Sequence, residues 1–219
     1  SNTMNRGKFI TVEGSEGVGK TTNINYIRTI LEQQGKEVVE SREPGGTPLG
    51  EELRELLLDH RHTGMSEDAE LLLMFAARAE HLAQLIIPAL EAGKWVICDR
   101  FTDASHAYQG GGRGIKSSRI STLESWVQRW EDGSELQPDF TLLLDIDPKI
   151  GLERAGKRGA LDRFEKEQSD FFERVRQEYL RRATESPERF HIVDAGETLT
   201  EVQQSIAAAL LLMTNIGSS

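Results

Sequence analysis

Residues 8–21 read KFITVEGSEGVGKT, and this stretch decides the fold. Lys8–Glu13 has the apolar, β-branched character of a short strand. The next eight residues, Gly14-Ser15-Glu16-Gly17-Val18-Gly19-Lys20-Thr21, match G-x-x-x-x-G-K-[ST] in full, and helical periodicity takes over across residues 20–34. Strand, glycine-rich turn and helix in that order form the context in which this motif binds a nucleotide's phosphates. The glycines let successive backbone N–H groups point inward at phosphate oxygens, and the helix N-terminus adds a favourable dipole. In such a loop Lys20 reaches the β- and γ-phosphates and the Thr21 hydroxyl ligates Mg²⁺.

Outward from this motif, four more strand-like runs alternate with helix-period stretches: 37–41, 94–98, 140–145 and 190–194. The runs at 94–98 and 140–145 are almost continuously apolar, as in parallel strands buried on both faces. Helix ends are marked as well. Thr198-x-x-Glu201 has a capping-box pattern, Asp147-Pro148 places proline at a first helical position, and Gly35 and Gly93 follow helices as stop signals. The alternation predicts an α/β fold, a five-stranded parallel sheet flanked by helices on both faces. It forms a single domain over residues 4–219, and residues 1–3 read as an expression scar.

The chain has 219 residues, with 26 Lys+Arg against 36 Asp+Glu and a formal net charge of −10. That balance argues against nucleic acid or an anionic membrane as a partner. Cys98 is the single cysteine, so no internal disulfide forms and a reducing cytoplasm is the expected location. The longest apolar run, 206–213, is far short of the ~20 residues of a spanning helix. No basic region followed by an apolar stretch marks a signal peptide. No membrane association is therefore expected.

Three charged or glycine-rich segments, 42–48, 109–117 and 154–165, break the periodicity and would sit where α/β sheets hold their ligands. They and the strand ends carry Arg42, Arg100, Arg113, Arg158 and Arg163. Guanidinium forks suit phosphates, and forks in excess of the phosphate loop point to a second phosphorylated ligand or to charge developing between two ligands. That is the requirement of phosphoryl transfer, in which positioning and charge stabilisation do most of the catalysis. No N-K-x-D, D-x-x-G or L-S-G-G-Q motif points to GTPases or transporters. Asp99 and Asp145 each end an apolar strand, and spacing alone does not choose which is the magnesium carboxylate. Glu16 stands inside the phosphate loop, where a carboxylate is repelled by phosphate unless a cation intervenes.

These residues together resemble the thymidylate kinases. The resemblance runs from Gly7 to about Leu212 through GSEGVGKTT (14–22), REPGGTPLGEELR (42–54), LLLMFAARAEHL (71–82), CDRFTDASHAYQGGGRG (98–114), LLLDIDPKIGLERA (142–155) and RGALDRFE (158–165). It implies an adenylate-kinase-like P-loop NTPase fold with a short lid at about 154–165. It also implies Mg-ATP as donor, dTMP as acceptor and a homodimer. By the same resemblance Gly14, Ser15, Glu16, Gly17, Val18, Gly19, Lys20, Thr21 and Thr22 hold the ATP phosphates. Glu16 orients phosphate-binding arginines and the acceptor ribose. Asp99 serves magnesium, and Arg100 binds the dTMP phosphate with Arg42 and Arg54. Arg78 donates to a thymine carbonyl, Ser105 and Gln109 stand near the base edge, and Tyr108 crowds the ribose 2′ position. Glu165 approaches the deoxyribose.

Two family differences bear on catalysis. Many members stack a phenylalanine on the base four residues before the arginine. Here that position is Met74, and the adjacent Phe75 is the expected stacking residue, from a slightly rotated helix. Some members carry a catalytic arginine inside the P-loop, where this chain has Gly17. The pattern here fits the lid arrangement, with Arg158 closing over the transferred phosphoryl and Lys20, Arg100 and Glu16 completing the catalytic set. Arg154, Lys157 and Arg163 assist it or keep the lid soluble. The five histidines lack metal-binding spacing, and Phe172, Val175 and Tyr179 recur at helical intervals as core.

Overall fold

Strand β1, Phe9–Glu13, sends Ile10 and Val12 into one apolar layer and Phe9 into the opposite one, so it is covered on both faces. A computed structural model describes residues 5–157 and 159–217; residues 1–3 and the proposed lid arginine, Arg158, lie outside the described residues. After β1 come α1 (Lys20–Gln33), β2 (Val38–Arg42), α2 (Pro48–Leu58) and α3 (Glu67–His81). Helix α3 continues through a π-helical turn, Leu82–Ile86, into α4 (Ile87–Glu91). Then follow β3 (Trp95–Asp99), α5 (Thr102–Ser105) with a π-helical segment His106–Gly112, and α6 (Ser117–Val127). The chain ends with β4 (Phe140–Asp145), α7 (Pro148–Gly156), α8 (Ser169–Glu185), β5 (Phe190–Asp194) and α9 (Leu199–Gly217).

The strands form one five-stranded sheet in the order β2-β3-β1-β4-β5, every pairing parallel. Each expected strand is present, its ends within one residue of the reading from sequence. On one face, Ile24, Ile27 and Leu31 of α1 and Ile206, Leu210 and Met213 of α9 pack on Ile10, Val12, Leu142 and Leu144. On the other, Phe172, Val175 and Tyr179 of α8 meet Leu143 and Phe190. Leu82, Ile86 and Leu90 cover Phe9, Val96 and Cys98 beside them. Burying each such side chain contributes about 1.5–3 kcal/mol.

The helix ends follow their signals. Asp147 accepts the Lys149 N–H at 2.9 Å ahead of Pro148, and Thr198 accepts the Glu201 N–H at 3.2 Å. Gly35 and Gly93 take left-handed φ of 82° and 83° after α1 and α4.

Three expectations are corrected. The segment 109–117 is not loop throughout, because Gln109–Gly112 completes the π-helical segment. Two of its glycines are demanded by α8: a Cβ on Gly111 would meet the Arg174 carbonyl oxygen at 2.7 Å, and one on Gly112 would meet Phe171 at 2.5 Å. The charged segment 154–165 begins as helix, since α7 runs to Gly156. Finally, the helix Glu67–Glu91 is long and apolar enough, by length and composition, to cross a membrane. A search for unbroken apolar runs misses it because Arg78, Glu80 and His81 interrupt it. Its Leu71, Phe75, Leu82, Ile86 and Leu90 are buried in the domain's own core, and Glu70, Arg78 and His81 are buried among protein partners.

Candidate active site

The phosphate loop after β1, Arg42 at the end of β2, Asp99-Arg100 at the end of β3 and α7 after β4 all lie at the carboxyl ends of strands, so they converge on one edge of the sheet. The phosphate loop is wedged against α7. Gly17 has φ 77°, and a Cβ there would lie 2.0 Å from the Gly151 carbonyl oxygen. No side chain fits at position 17 without moving backbone, so an arginine cannot act from there.

Two cavities open on this edge. One, about 570 Å³, lies between the 43–58 region, α3 and the residues after β3, with Met74, Arg78, Ser105, Tyr108 and Gln109 on its walls. The other runs along the phosphate loop from Gly17 to Thr21 and reaches Ala155, Asp162 and Glu165 of the 154–165 segment. They meet at Glu16, Arg54, Arg100 and Asp162, which line both.

At that junction the electrostatics are tightly set. Arg100 Nη2 donates to Glu16 Oε1 at 2.9 Å and to the Tyr108 hydroxyl at 3.2 Å, and the Tyr108 hydroxyl donates to Glu16 at 3.2 Å. Burial pushes the Glu16 carboxyl up, but Arg100 and Lys20 outweigh it and bring it down to about 2. The cation that the sequence required beside Glu16 is therefore Arg100. Burial, reinforced by Glu16 and Asp162, lifts the Glu165 carboxyl to about 7. Burial and Arg100 both lower Lys20, against the pull of Asp99, Glu16 and Glu13.

Arg100 is the one described non-glycine residue with positive φ, 67°. Such a conformation costs about 1–3 kcal/mol and persists only where its surroundings hold it. Here Arg100 N donates to Val12 O at 3.0 Å, and Phe101 N to Glu13 Oε2 at 2.8 Å. Glu13 also accepts from the Tyr179 hydroxyl at 2.8 Å. Burial, with Asp103 nearby, lifts the Glu13 carboxyl from 4.5 to about 8. The native chain thus holds this proton more tightly than the unfolded chain does. Glu13's contribution to stability is complete below pH 4.5 and is lost as pH rises through about 8. Urea midpoints measured from pH 5 to 9 should fall more steeply for the parent protein than for Glu13→Gln; parallel profiles would contradict this.

The other sequence-derived residues divide cleanly. Arg78 is 2% exposed and firmly held: Nε donates to Glu43 at 2.7 Å, Nη1 to Ser105 Oγ at 3.0 Å and Nη2 to Phe101 O at 3.2 Å, which leaves part of its five-N–H fork on the cavity wall. Gln109 Nε2 donates to Glu70 at 2.8 Å. Arg54 donates to Pro44 O at 3.0 Å. Arg42 instead pairs with Glu51 at 3.2 Å in a separate cleft beside Thr21 and Asp99. Phe75 does not face the first cavity, where a residue stacking on a base was expected. It packs with Leu71, Ile115 and Ile120, its ring 4.7 Å from the Arg78 guanidinium, and Met74 occupies the wall. Neighbours on a helix point about 100° apart, and α3 is not rotated to compensate.

Asp99 and Asp145 are now distinguished. Asp145 is held by Arg176 through two contacts of 3.0 Å. Asp99 Oδ1 is buried without a hydrogen-bond partner and borders the phosphate-loop cavity with Thr21. An orphaned carboxylate oxygen beside a hydroxyl is a donor set that fits a hard cation such as magnesium. Glu43 escaped the sequence reading although it follows Arg42 directly; its carboxylate bridges Arg78 and His81, the latter at 2.8 Å. Glu43, His81 and Cys98 lie close enough to hold a metal, but Ser41 and Glu43 already occupy both His81 nitrogens.

The thymidylate kinase family model matches residues 12–206. The chain belongs to the thymidylate kinase family. It is 58% identical to the thymidylate kinase of Hahella chejuensis, over 94% of this chain and 97% of that protein. It is 56% identical to that of Ectopseudomonas mendocina, over 93% and 95%. Among solved structures, the thymidylate kinase of Ehrlichia chaffeensis superimposes with a TM-score of 0.75 at 34% identity, covering 94% of this chain and 99% of that one. The chain is thus a nucleoside-monophosphate phosphotransferase with the P-loop kinase fold. A thymidylate kinase needs a donor site and an acceptor site that touch, and the two cavities meeting at Glu16, Arg54 and Arg100 have that form.

Proposed function

We propose that the chain transfers the γ-phosphoryl of magnesium-bound ATP directly to the phosphate of dTMP, giving dTDP without a covalent enzyme intermediate. The observation that carries this reading is the junction of the two cavities at Arg100 and Arg54. A nucleoside monophosphate with its base toward Arg78, Ser105 and Gln109 brings its phosphate to that junction, where the γ-phosphate of a nucleotide on the 14–22 loop also ends. Lys20 and Arg100 bear the charge that develops during transfer, joined by Arg158 from the lid, residues 154–165. Thr21 and Asp99 would hold Mg²⁺, which neutralises the donor's phosphate oxygens when bound. Glu16 fixes Arg100 and, with Tyr108 and Glu165, faces the sugar of the acceptor. Lid closure excludes water and so limits idle ATP hydrolysis.

The enzyme is assigned to the cytoplasm, on its single buried cysteine, and to a homodimer. The exposed Leu72 on α3 and Trp126 on α6, 55% and 76% accessible, support the second assignment. No nucleic acid or membrane partner is invoked.

The deciding experiment is a set of initial rates of ADP formation with Mg-ATP and dTMP, dUMP, dCMP, AMP, GMP or CMP, beside a reaction without acceptor. Preference for dTMP is the expected result. Equal rates across the panel, or hydrolysis in the control alone, would leave the phosphate-loop reading standing and overturn the acceptor site.

A further inference from the structure

Behind the acceptor cavity lies a buried carboxylate that the reaction described above does not use. Glu70, on α3, is 1% exposed. Three side chains from two separate segments donate to it: Gln109 Nε2 at 2.8 Å, Arg113 Nε and Nη2 each at 3.2 Å, and Arg163 Nη2 at 2.6 Å. Gln109 stands on the base side of the acceptor cavity. Arg163 belongs to the lid segment, and its neighbours Asp162 and Phe164 line the same cavity. Arg163 is otherwise anchored to the end of α2, donating from Nε to Leu57 O at 2.7 Å and from its backbone N–H to Leu58 O at 3.2 Å.

The division of labour between the two oxygens matters. Oε1 takes Gln109 and one Arg113 N–H, while Oε2 takes Arg163 and the other. A carboxylate is planar and rigid, so it cannot turn Oε1 to follow Gln109 without displacing Oε2 under Arg163. Arg113 grips both oxygens and also pairs with Glu167 beyond the lid, so the group moves as a unit.

We propose that Glu70 is a positioning residue that couples the base end of the acceptor cavity, through Gln109, to the seating of the lid, through Arg163. The proposal rests on the acceptor-site reading given above. Its consequence is that a fitting base acts on the catalytic step as well as on binding. A nucleotide that leaves Gln109 unengaged binds but does not seat the lid.

The test is a double-mutant cycle on kcat with dTMP, using Gln109→Met and Arg163→Met. Each single change is expected to lower kcat about tenfold, and the double to fall no further than the worse single, as for residues joined in one network. Calorimetric affinity of Arg163→Met for dTMP should stay within about twofold, because Glu70 keeps Gln109 and Arg113. Additive losses in the cycle would overturn the relay.

Hydrogen exchange across residues 159–168 supplies a second readout, independent of turnover and of whether Arg163→Met folds. In the parent protein dTMP should slow exchange there; in Glu70→Gln that slowing should vanish. If Glu70→Gln exchanges faster yet keeps the full slowing by dTMP, Glu70 is only structural and the relay is wrong. A parent enzyme that prefers dTMP but shows additive losses overturns the relay alone. One that shows no preference for dTMP overturns both.

Discussion

Lys20→Met should lower turnover of dTMP by at least ~10²–10³-fold, the usual loss when one preorganised donor to a developing charge is removed. The melting temperature should stay within about 2 °C of the parent's. The two expectations follow from the same surroundings. Lys20 is half-buried at the first turn of α1, and its ammonium is disfavoured by burial and by Arg100 while Asp99, Glu16 and Glu13 favour it. Methionine keeps the length and the apolar stem. Its substitution removes a repulsion with Arg100 along with the attractions, so folding loses little. The reaction has no such compensation, since no described residue other than Lys20 brings a cation from the phosphate loop itself. Unchanged kcat, with the variant folded, would sink the assignment of Lys20. Loss of turnover together with loss of the melting transition would show a structural residue instead.

Why this much was legible in the sequence is a matter of range. The phosphate loop is written in consecutive residues, because a backbone cradle needs its glycines in fixed order, and Gly14, Gly17 and Gly19 all take positive φ. The central strands were readable because burial on both faces demands unbroken apolar runs such as residues 95–98. Arg100 stood out as a cation at the end of an apolar strand, whereas Arg78 came only from the resemblance to the family. What stayed hidden is what depends on partners far along the chain. Glu43 meets Arg78 across 35 positions, and Glu70 meets Arg163 across 93. Neither acid differs in its local sequence from a solvated surface residue. Spacing alone left Asp99 and Asp145 undivided for the same reason, and the choice of Asp99 came from the resemblance; only the fold reveals that Arg176 already occupies Asp145. Phe75 went astray by a single position on α3, about 100° of rotation that spacing to Arg78 does not fix.

Arg78→Met is expected to be the most destabilising of these substitutions, and the cause differs from its effect on the reaction. Arg78 and Glu43 form a buried pair at 2.7 Å, with side chains 2% and 4% exposed. Removing one partner of such a pair typically costs about 3–5 kcal/mol, because the remaining charge stays buried and uncompensated. Burial acts to raise the Glu43 carboxyl, and Arg78 is the leading influence that reverses this and holds it below the usual carboxylate range. His81, which shares Glu43 at 2.8 Å, is left as its remaining side-chain partner. Replacing both members, as Glu43→Gln with Arg78→Met, removes the stranded charge while the new carboxamide still bonds to His81. Urea unfolding should then show the double variant recovering most of the stability lost by Arg78→Met. Turnover of dTMP should recover none of it, because the donor proposed to face the acceptor's base is gone in both. Recovery of kcat/KM along with stability would mean that Arg78 serves the fold alone and that the acceptor's base is read elsewhere.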